Sequence, residues 1–446
     1  MTTAAEGELL TRIGPGTPMG RLMRRYWLPA ALSSELERDG APVRLMLLGE
    51  RLIAFRDSAG RVGVMDHRCP HRCASLFLGR NEQGGIRCTY HGWKFDVEGR
   101  CVDMPSVPPE RDFRAKVRAR AYRAVERAGL VWVHMGEEGA ATPPLPGLEA
   151  LDIPEEELGA SLILRECNWL QALEGDIDTS HFGFLHAGHV DPATLPEEEP
   201  LRDTITSRAP EYHIADTPWG TQYAAYRPAS GRPGTYWRFG TFMFPFWTQQ
   251  PSSPFAGNVN ARAWVPLDDG HTMFVFLWWK RGVTAMTEPP PRRRDGRPVG
   301  GMGRGNALLP NTTDWLGRFR MAANPGNDWS IDRAAQRSGA IYSGVEGVHL
   351  QDQAITESMG PIVDHGFEHL APSDQMITRT RRRLLMAVRA MEEKGVAPPG
   401  AAEPEVYRRV RSGFFVSEEA EDWREIYARQ LAAATPPGAP ARRAAE

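Results

Sequence analysis

Cysteine is scarce in this chain, with five in 446 residues. Two of the five sit beside histidines, which argues against a disulfide framework and for metal ligation. Long apolar runs are also missing, so no stretch approaches a membrane-spanning helix. The first residues, Met-Thr-Thr-Ala-Ala-Glu-Gly-Glu, hold no basic segment followed by an apolar one of the kind that directs export. No excess of charge is present: the formal net charge is −3 with both signs interspersed, and nothing in it forms a nucleic-acid footprint. No Gly-x-Gly-x-x-Gly follows a strand and opens a helix, so the chain shows no nicotinamide or flavin site of that type. A reducing, cytoplasmic setting is the expectation.

What is present is enough chain, 446 residues at 41% hydrophobic content, for two or three domains or for one catalytic domain carrying an inserted module. Residues 21–29 read as a short amphipathic lead-in helix. From residue 43 the texture becomes β: a hairpin over 43–56 with Gly49-Glu50 at its centre, then short strands at 61–65, 86–96 and 130–135. Small residues and proline at 140–146 mark a crossing between domains. Pro154 with Glu155, Glu156 and Glu157 has the character of a helical first turn, and 165–184 also favours helix. Strands return over 204–280, including a hairpin about Asp268-Asp269-Gly270. A helix opened by Ser373-Asp374 runs to Gly395. This order predicts an α+β fold, a mainly antiparallel sheet with helices on one side. The expected division is a lead-in over 1–40, a β-module over 41–146, a catalytic domain over 147–434 with a flexible loop at 284–312, and a disordered tail over 435–446.

Within the β-module, Cys69-Pro70-His71 and Cys88-Thr89-Tyr90-His91 each offer one thiolate and one imidazole from a tight loop. That split set suits a [2Fe-2S] centre in which two Cys hold one iron and two His the other. The alternative is a Cys2His2 zinc site in a binding protein without redox chemistry. Zinc spacings commonly pair Cys with Cys and His with His, whereas each loop here mixes them. Cys73, Cys101 and Cys167 match no ligand position and read as ordinary thiols.

The second constellation is Asp178-x2-His181-x4-His186, at the end of the stretch 168–186. Two imidazoles and a carboxylate on one segment look like half of a 2-His-1-carboxylate site, the open-sided iron arrangement that activates O2, with a further carboxylate to come from elsewhere. Asp328, Asp332, Asp352 and Asp364 are candidates. The i,i+5 spacing of the histidines does not lie on one face of a regular helix, so a distortion or helix end is expected near Gly183. Asn168, Gln171 and Glu174 form a polar stripe before the histidines, either part of an inter-subunit hydrogen-bond network about Asp178 or a solvated face.

Cys-Pro-His followed by Cys-Thr-Tyr-His-Gly-Trp, with the histidine motif later in the same chain, resembles the Rieske non-haem iron oxygenases. The segment 347–364 and the stretches around 327–337 resemble the phthalate 4,5-dioxygenase-like branch. The resemblance implies a Rieske module before a catalytic domain of helix-grip, START-like form. Cys69, His71, Cys88 and His91 would hold the cluster, and His181, His186 and Asp352 a mononuclear Fe(II). Asp178 would be the carboxylate linking a catalytic His to a Rieske His of a neighbouring subunit. It further implies a terminal oxygenase fed by NAD(P)H only indirectly, through a separate flavin or iron-sulfur reductase, with O2 as co-substrate. The assembly would be a homotrimer or stacked trimers, in the catabolism of aromatic compounds. Arg208 and Arg238 fall on expected pocket strands, where a forked guanidinium could bind a carboxylate or serve as surface charge or structural partner. A phthalate-like acid and cis-dihydroxylation are one reading; a monooxygenase or O/N-demethylase acting on an aryl ether is the other. Purified protein should be brown and contain iron with acid-labile sulfide. A colourless protein with stoichiometric zinc would establish the zinc alternative.

Overall fold

The computed structural model describes all residues except 1, 138, 140, 207, 282–291, 298–306, 419–421, 435 and 437–446. Most of the expected loop at 284–312 and of the expected tail therefore lies outside the described residues. Two short helices, α1 (Ala4–Thr11) and α2 (Pro18–Met23), open the chain. Thr3 and Glu6 form a capping box at the first, and Thr17 followed by Pro18 starts the second. The expected helix over 21–29 ends early. Trp27–Leu32 is strand β1, almost wholly buried, because Pro29 disfavours helix in the residue before it and an all-apolar run is satisfied between two layers.

The β-module continues with β2 (Val43–Leu47), β3 (Glu50–Arg56), β4 (Val62–Asp66), β5 (Arg80–Glu82), β6 (Gly85–Arg87), β7 (Lys94–Phe95), β8 (Cys101–Asp103), β9 (Ala121–Arg127) and β10 (Leu130–His134). The β2–β3 turn places Leu48 and Gly49 at φ 47° and 76°, the positive values that suit a tight hairpin. Six strands pair in the order β1-β10-β9-β4-β3-β2, and β5 to β8 form a smaller sheet. Ile53, Phe55, Met65, Ile86 and Phe95 belong to one buried cluster with Cys69 and Cys88. The single strand expected over 86–96 is two, β6 and β7, interrupted by the Cys88–His91 loop.

The second sheet comprises β11 (Leu158–Arg165), β12 (Glu211–Thr217), β13 (Gly220–Pro228), β14 (Thr235–Met243), β15 (Trp247–Gln249), β16 (Asn260–Asp268), β17 (His271–Trp279) and β18 (Gly413–Ser417). The order is β11-β17-β16-β15-β14-β13-β12 with β18 also on β14, and every pairing is antiparallel. The helix expected from Pro154 is only a 3₁₀ turn at Glu155–Glu157. Strand β11 follows at once, paired from Leu158 with Trp279 to Arg165 with Thr272. Full-length pairing outweighs the local signal of an acidic first turn.

Helices α3 (Trp169–Ile177), α4 (Phe182–Leu185), α5 (Pro200–Thr206), α6 (Arg333–Ser338), α7 (Val348–Ser358), α8 (Gln375–Lys394) and α9 (Trp423–Ala433) complete the chain. The register puts Arg165, Phe274, Phe276, Arg262, Trp264, Arg238 and Tyr223 on one face of the sheet, against which α3 and α8 pack. The opposite face meets the β-module, where Trp132 stacks on Trp247 at 5.8 Å. It also meets α9, where Trp423 and Tyr427 join Trp237 and Phe239.

The polar stripe on α3 is buried and finds its partners within its own chain. Asn168 Nδ2 donates to the carbonyls of Thr11 and Asp269 (3.0 and 2.7 Å). Gln171 Nε2 donates to those of Thr356 and Gly360 (2.9 and 2.8 Å) while its Oε1 accepts from Val363 N–H. Glu174 takes a forked bond from Arg381 at 2.6 and 2.7 Å. The inter-subunit network and the solvated face are both set aside for these three residues. Arg381 also pairs with Glu368, so losing Glu174 removes two charge-assisted bonds without stranding the guanidinium. Glu174→Ala should cost about 2 kcal/mol, read as a lowered unfolding midpoint with α3 loosened first in hydrogen exchange.

Candidate metal centres

Both loops of the first centre close in the same way. Cys73 N–H bonds Cys69 C=O and Gly92 N–H bonds Cys88 C=O, each at 2.9 Å, with Cys73 and Gly92 at φ 59° and 77°. Each five-residue turn buries its first Cys and lifts its His toward the surface. Cys69 and Cys88 are 1% and 3% exposed, and both lie in one buried cluster. Burial, with a smaller contribution from Cys88, pushes the Cys69 thiol up to about 12, so loading a metal must displace a proton. On the outer side the rings of His71 and His91 lie 4.4 Å apart, and His71 stacks on Trp93 at 4.4 Å. Burial, then the charges of His91 and Arg72, hold His71 below its ordinary pKa, which keeps it neutral and fit to ligate. His91 Nδ1 is buried without a hydrogen-bond partner, a costly state for a nitrogen unless something ligates it. The four side chains form a thiol pair and an imidazole pair. They are absent from the described groups whose ligand atoms lie within 4.8 Å of one another, whereas a single tetrahedral ion would draw all four donors to about 4 Å. The donor set fits a two-iron cluster.

The second centre is the described trio that does converge, His181, His186 and Asp352. The helix signal of 165–184 holds only for α3, which stops at Ile177. Asp178 caps it, and a one-turn helix, α4, follows with His181 at its N-terminal and His186 at its C-terminal boundary. The break expected near Gly183 lies just upstream, at 178–181, and it turns both rings to one point. The Nε2 atoms are 3.2 Å apart, and Asp352 Oδ1, from α7, is 3.5 Å from His181 Nε2 and 3.2 Å from His186 Nε2. Donors about 2.1 Å from a shared ion would lie about 3.0–3.5 Å apart, so the trio fits one. Burial alone would raise the pKa of Asp352, but the charges of His186, His181 and Arg165 hold it well below the carboxylate range. Asp328 and Asp364 are exposed, and Asp332 caps α6.

Asp178 Oδ2 stands 3.5 Å from His181 Nδ1, on the side away from the trio, and its Oδ1 accepts the Ser180 N–H at 2.7 Å. His186 Nδ1 meets Gln351 Oε1 at 2.6 Å. Gln351 was not singled out from the sequence. A glutamine one residue before a ligand carries no spacing signal, and its role depends on how α7 meets α4. His181 and Asp352 keep about a quarter of their side-chain surface accessible (24% and 25%), so a ligand can reach them.

The two arginines separate. Arg208 is not on a strand: it occupies an exposed bend after α5, its guanidinium 4.6 Å over Phe184. The segment 204–210 continues a helix and its exit, so the alternation that would have turned Arg208 into the sheet face is absent. Arg238, on β14, is 4% exposed, rests 5.2 Å over Phe182, and is near enough for its charge to bear on His181. Its Nε is buried and unpaired, and no acid or hydrogen-bond partner faces it among the described residues. The other guanidiniums of that face are engaged, Arg165 with Thr356, Arg262 with Asp176 and Arg227 with the Asp203 carbonyl.

The Rieske [2Fe-2S] domain profile matches residues 26–122, and that of the LigXa C-terminal domain matches 133–443. The chain belongs to the Rieske non-haem iron oxygenases. It is 50% identical over 432 residues to the 3-chlorobenzoate-3,4-dioxygenase oxygenase subunit of Comamonas testosteroni, covering 97% of this chain and 99% of that one. It is 37% identical over 441 residues to the phthalate 4,5-dioxygenase oxygenase subunit of Pseudomonas putida (97% and 96%). The fold is that of dicamba monooxygenase bound to dicamba, with TM-score 0.55, 18% identity and 83% and 98% coverage. This Rieske oxygenase is an oxidoreductase that uses a [2Fe-2S] cluster, mononuclear iron and O2, with electrons from a separate reductase or ferredoxin. Among the described residues no helix is long and apolar enough to cross a membrane.

Two outcomes follow from the geometry. His181→Ala should abolish mononuclear iron binding, measured by metal analysis, while leaving the cluster's visible spectrum unchanged. Burial would lower the pKa of His181, but Asp178 and Asp352 outweigh it and raise the group above its ordinary 6.5. Protons therefore compete for Nε2 already at pH values above 6.5, and iron uptake by the apo-protein should weaken as pH falls.

Proposed function

We propose that this oxygenase component hydroxylates an aromatic carboxylate, such as a benzoate or a phthalate-like acid, by cis-dihydroxylation. The observation that carries the reading is Arg238. A buried guanidinium with no acid facing it is costly, and a substrate carboxylate entering beside His181 would neutralise it through a forked pair of hydrogen bonds. Phe182, Phe274 and Phe276 offer apolar surface for a ring. The chlorobenzoate and phthalate substrates named for the two relatives agree with that chemistry. Arg208 is a weaker candidate, exposed and outside the sheet face.

In this reading Cys69, His71, Cys88 and His91 hold the cluster, and His181, His186 and Asp352 hold the mononuclear ion. When bound, the cluster supplies single electrons and the mononuclear iron activates O2. The chain's own residues do the rest. Arg238 orients the substrate, the aromatic wall excludes water, and Asp178 orients His181 and carries the contact to a neighbouring subunit. A head-to-tail homotrimer, single or stacked, would supply that neighbour. Exposed Tyr90 and Phe113 beside the cluster loops, and Phe184 and Tyr342 near the trio, support such a face. The divisions 1–40, 41–146, 147–434 and 435–446, a flavin or iron-sulfur reductase and a cytoplasmic setting belong to the same proposal.

A screen of benzoates, phthalates and aryl ethers with a surrogate reductase tests it. Incorporation of both atoms of labelled O2 into a carboxylate substrate is the expected result. Single-atom incorporation or release of formaldehyde from an ether would replace it with the monooxygenase or demethylase reading. Arg238→Leu should lower kcat/KM for the carboxylate about ten- to a hundredfold while sparing a neutral analogue. Asp178→Asn should keep both metals yet nearly abolish turnover; normal turnover would refute its linking role.

A further inference from the structure

The two imidazoles of the trio have unequal partners on their far sides. His181 faces the anionic Asp178 at 3.5 Å, where both side chains are about a quarter accessible (24% and 23%). His186 faces a neutral amide at 2.6 Å in a buried setting, with Gln351 2% exposed. We propose that Gln351 is the positioning residue that fixes the ring and tautomer of His186, making it the permanent anchor of the mononuclear metal. The inference rests on the ligand reading above and deepens it.

The argument is one of donors and acceptors. Gln351 Nε2 donates to the carbonyl of Val345 at 2.8 Å. An amide turned over would set its oxygen against that carbonyl oxygen and leave its NH2 pointing at the imidazole, so the amide has one acceptable orientation. Its Oε1 then faces His186 Nδ1 and accepts, which requires Nδ1 to carry the hydrogen. The lone pair is left on Nε2, the atom 3.2 Å from both His181 Nε2 and Asp352 Oδ1. Val345 lies in the turn entering α7, and Gln351 is adjacent to Asp352 on that helix. One rigid element thus delivers both the carboxylate and the group that orients the imidazole it meets. Phe182 closes the other side of the ring, edge-on at 5.2 Å. Hydrogen-bonded partners of this sort set ligand basicity and orientation, and losing one commonly costs ten- to a hundredfold in metal affinity.

The test uses the full-length, cluster-loaded protein. Fe(II) retention is followed with a ferrous chelator, and the cluster's visible spectrum reports an intact fold. In Co(II)-loaded protein, the shifted exchangeable imidazole N–H resonances report the tautomers directly. Gln351→Leu should release Fe(II) about ten- to a hundredfold faster and shift or lose one exchangeable resonance, leaving the other in place. Gln351→Glu keeps an acceptor for Nδ1 but sets its second oxygen against the Val345 carbonyl, so it should retain Fe(II) better than Gln351→Leu and less well than wild type, with the same resonance moved. Wild-type retention and unchanged resonances in Gln351→Leu overturn the inference, and if that variant does not fold, unchanged resonances in Gln351→Glu do so. His186→Ala separates the two levels. If it holds Fe(II) like wild type, the ligand reading fails and this inference with it. If it loses Fe(II) while Gln351→Leu does not, only the role of Gln351 fails.

Discussion

Everything around the second centre depends on one constraint. Three ligand atoms, two nitrogens and an oxygen, must be held within 3.2–3.5 Å of one another by parts of the chain that are distant in sequence. A helix running through 168–186 could not do it, because residues five apart diverge around the axis. Stopping α3 at Ile177 and restarting a single turn at Phe182 gives His181 and His186 separate directions. Such a break exposes backbone groups and loosens the segment, so its two flanks need strong attachment. Asn168, Gln171 and Glu174 provide it on one side with five hydrogen bonds and a forked ion pair into neighbouring elements. Gln351 and Asp352 provide it on the other.

The sheet beneath divides its labour by face. One face is apolar and carries the β-module and α9. The other carries guanidiniums at Arg165, Arg227, Arg238 and Arg262 among aromatic rings. Three have partners within the chain, and the charge of one of them, Arg165, helps keep Asp352 ionised. The fourth, Arg238, is held close to His181 with no acid or hydrogen-bond partner among the described residues. Electrostatics that stabilise the ligand set and electrostatics available to a substrate therefore arise from the same row of residues, separated only by which of them has a partner.

The chemistry-bearing motifs were legible in the sequence because metal ligation restricts residue type and spacing severely. The mixed Cys-x-His and Cys-x2-His loops, the paired histidines and the antiparallel α+β layout could all be read directly, and Asp352 came from the resemblance. Local signals misled where pairing or packing outweighed them. Trp27–Leu32 and Leu158–Arg165 carried helix-like contexts yet became strands, the first paired with β10 except at a bulge at Ala30 and the second paired with β17 along its length. Arg208 and Arg238 looked equivalent as isolated arginines. Only the register of β14 turned one inward, and the end of α5 left the other on the surface.

The sequence by itself determined which donors exist and in what local groups, because the identity of a ligand atom and its distance along the chain are covalent facts. Tertiary structure brought Asp352 to the two histidines, left one arginine without a partner among the described residues, and set a glutamine with no sequence signal against His186. Those are properties of contacts between α7, α4 and β14. They arise only when long-range packing brings together groups that no local pattern relates.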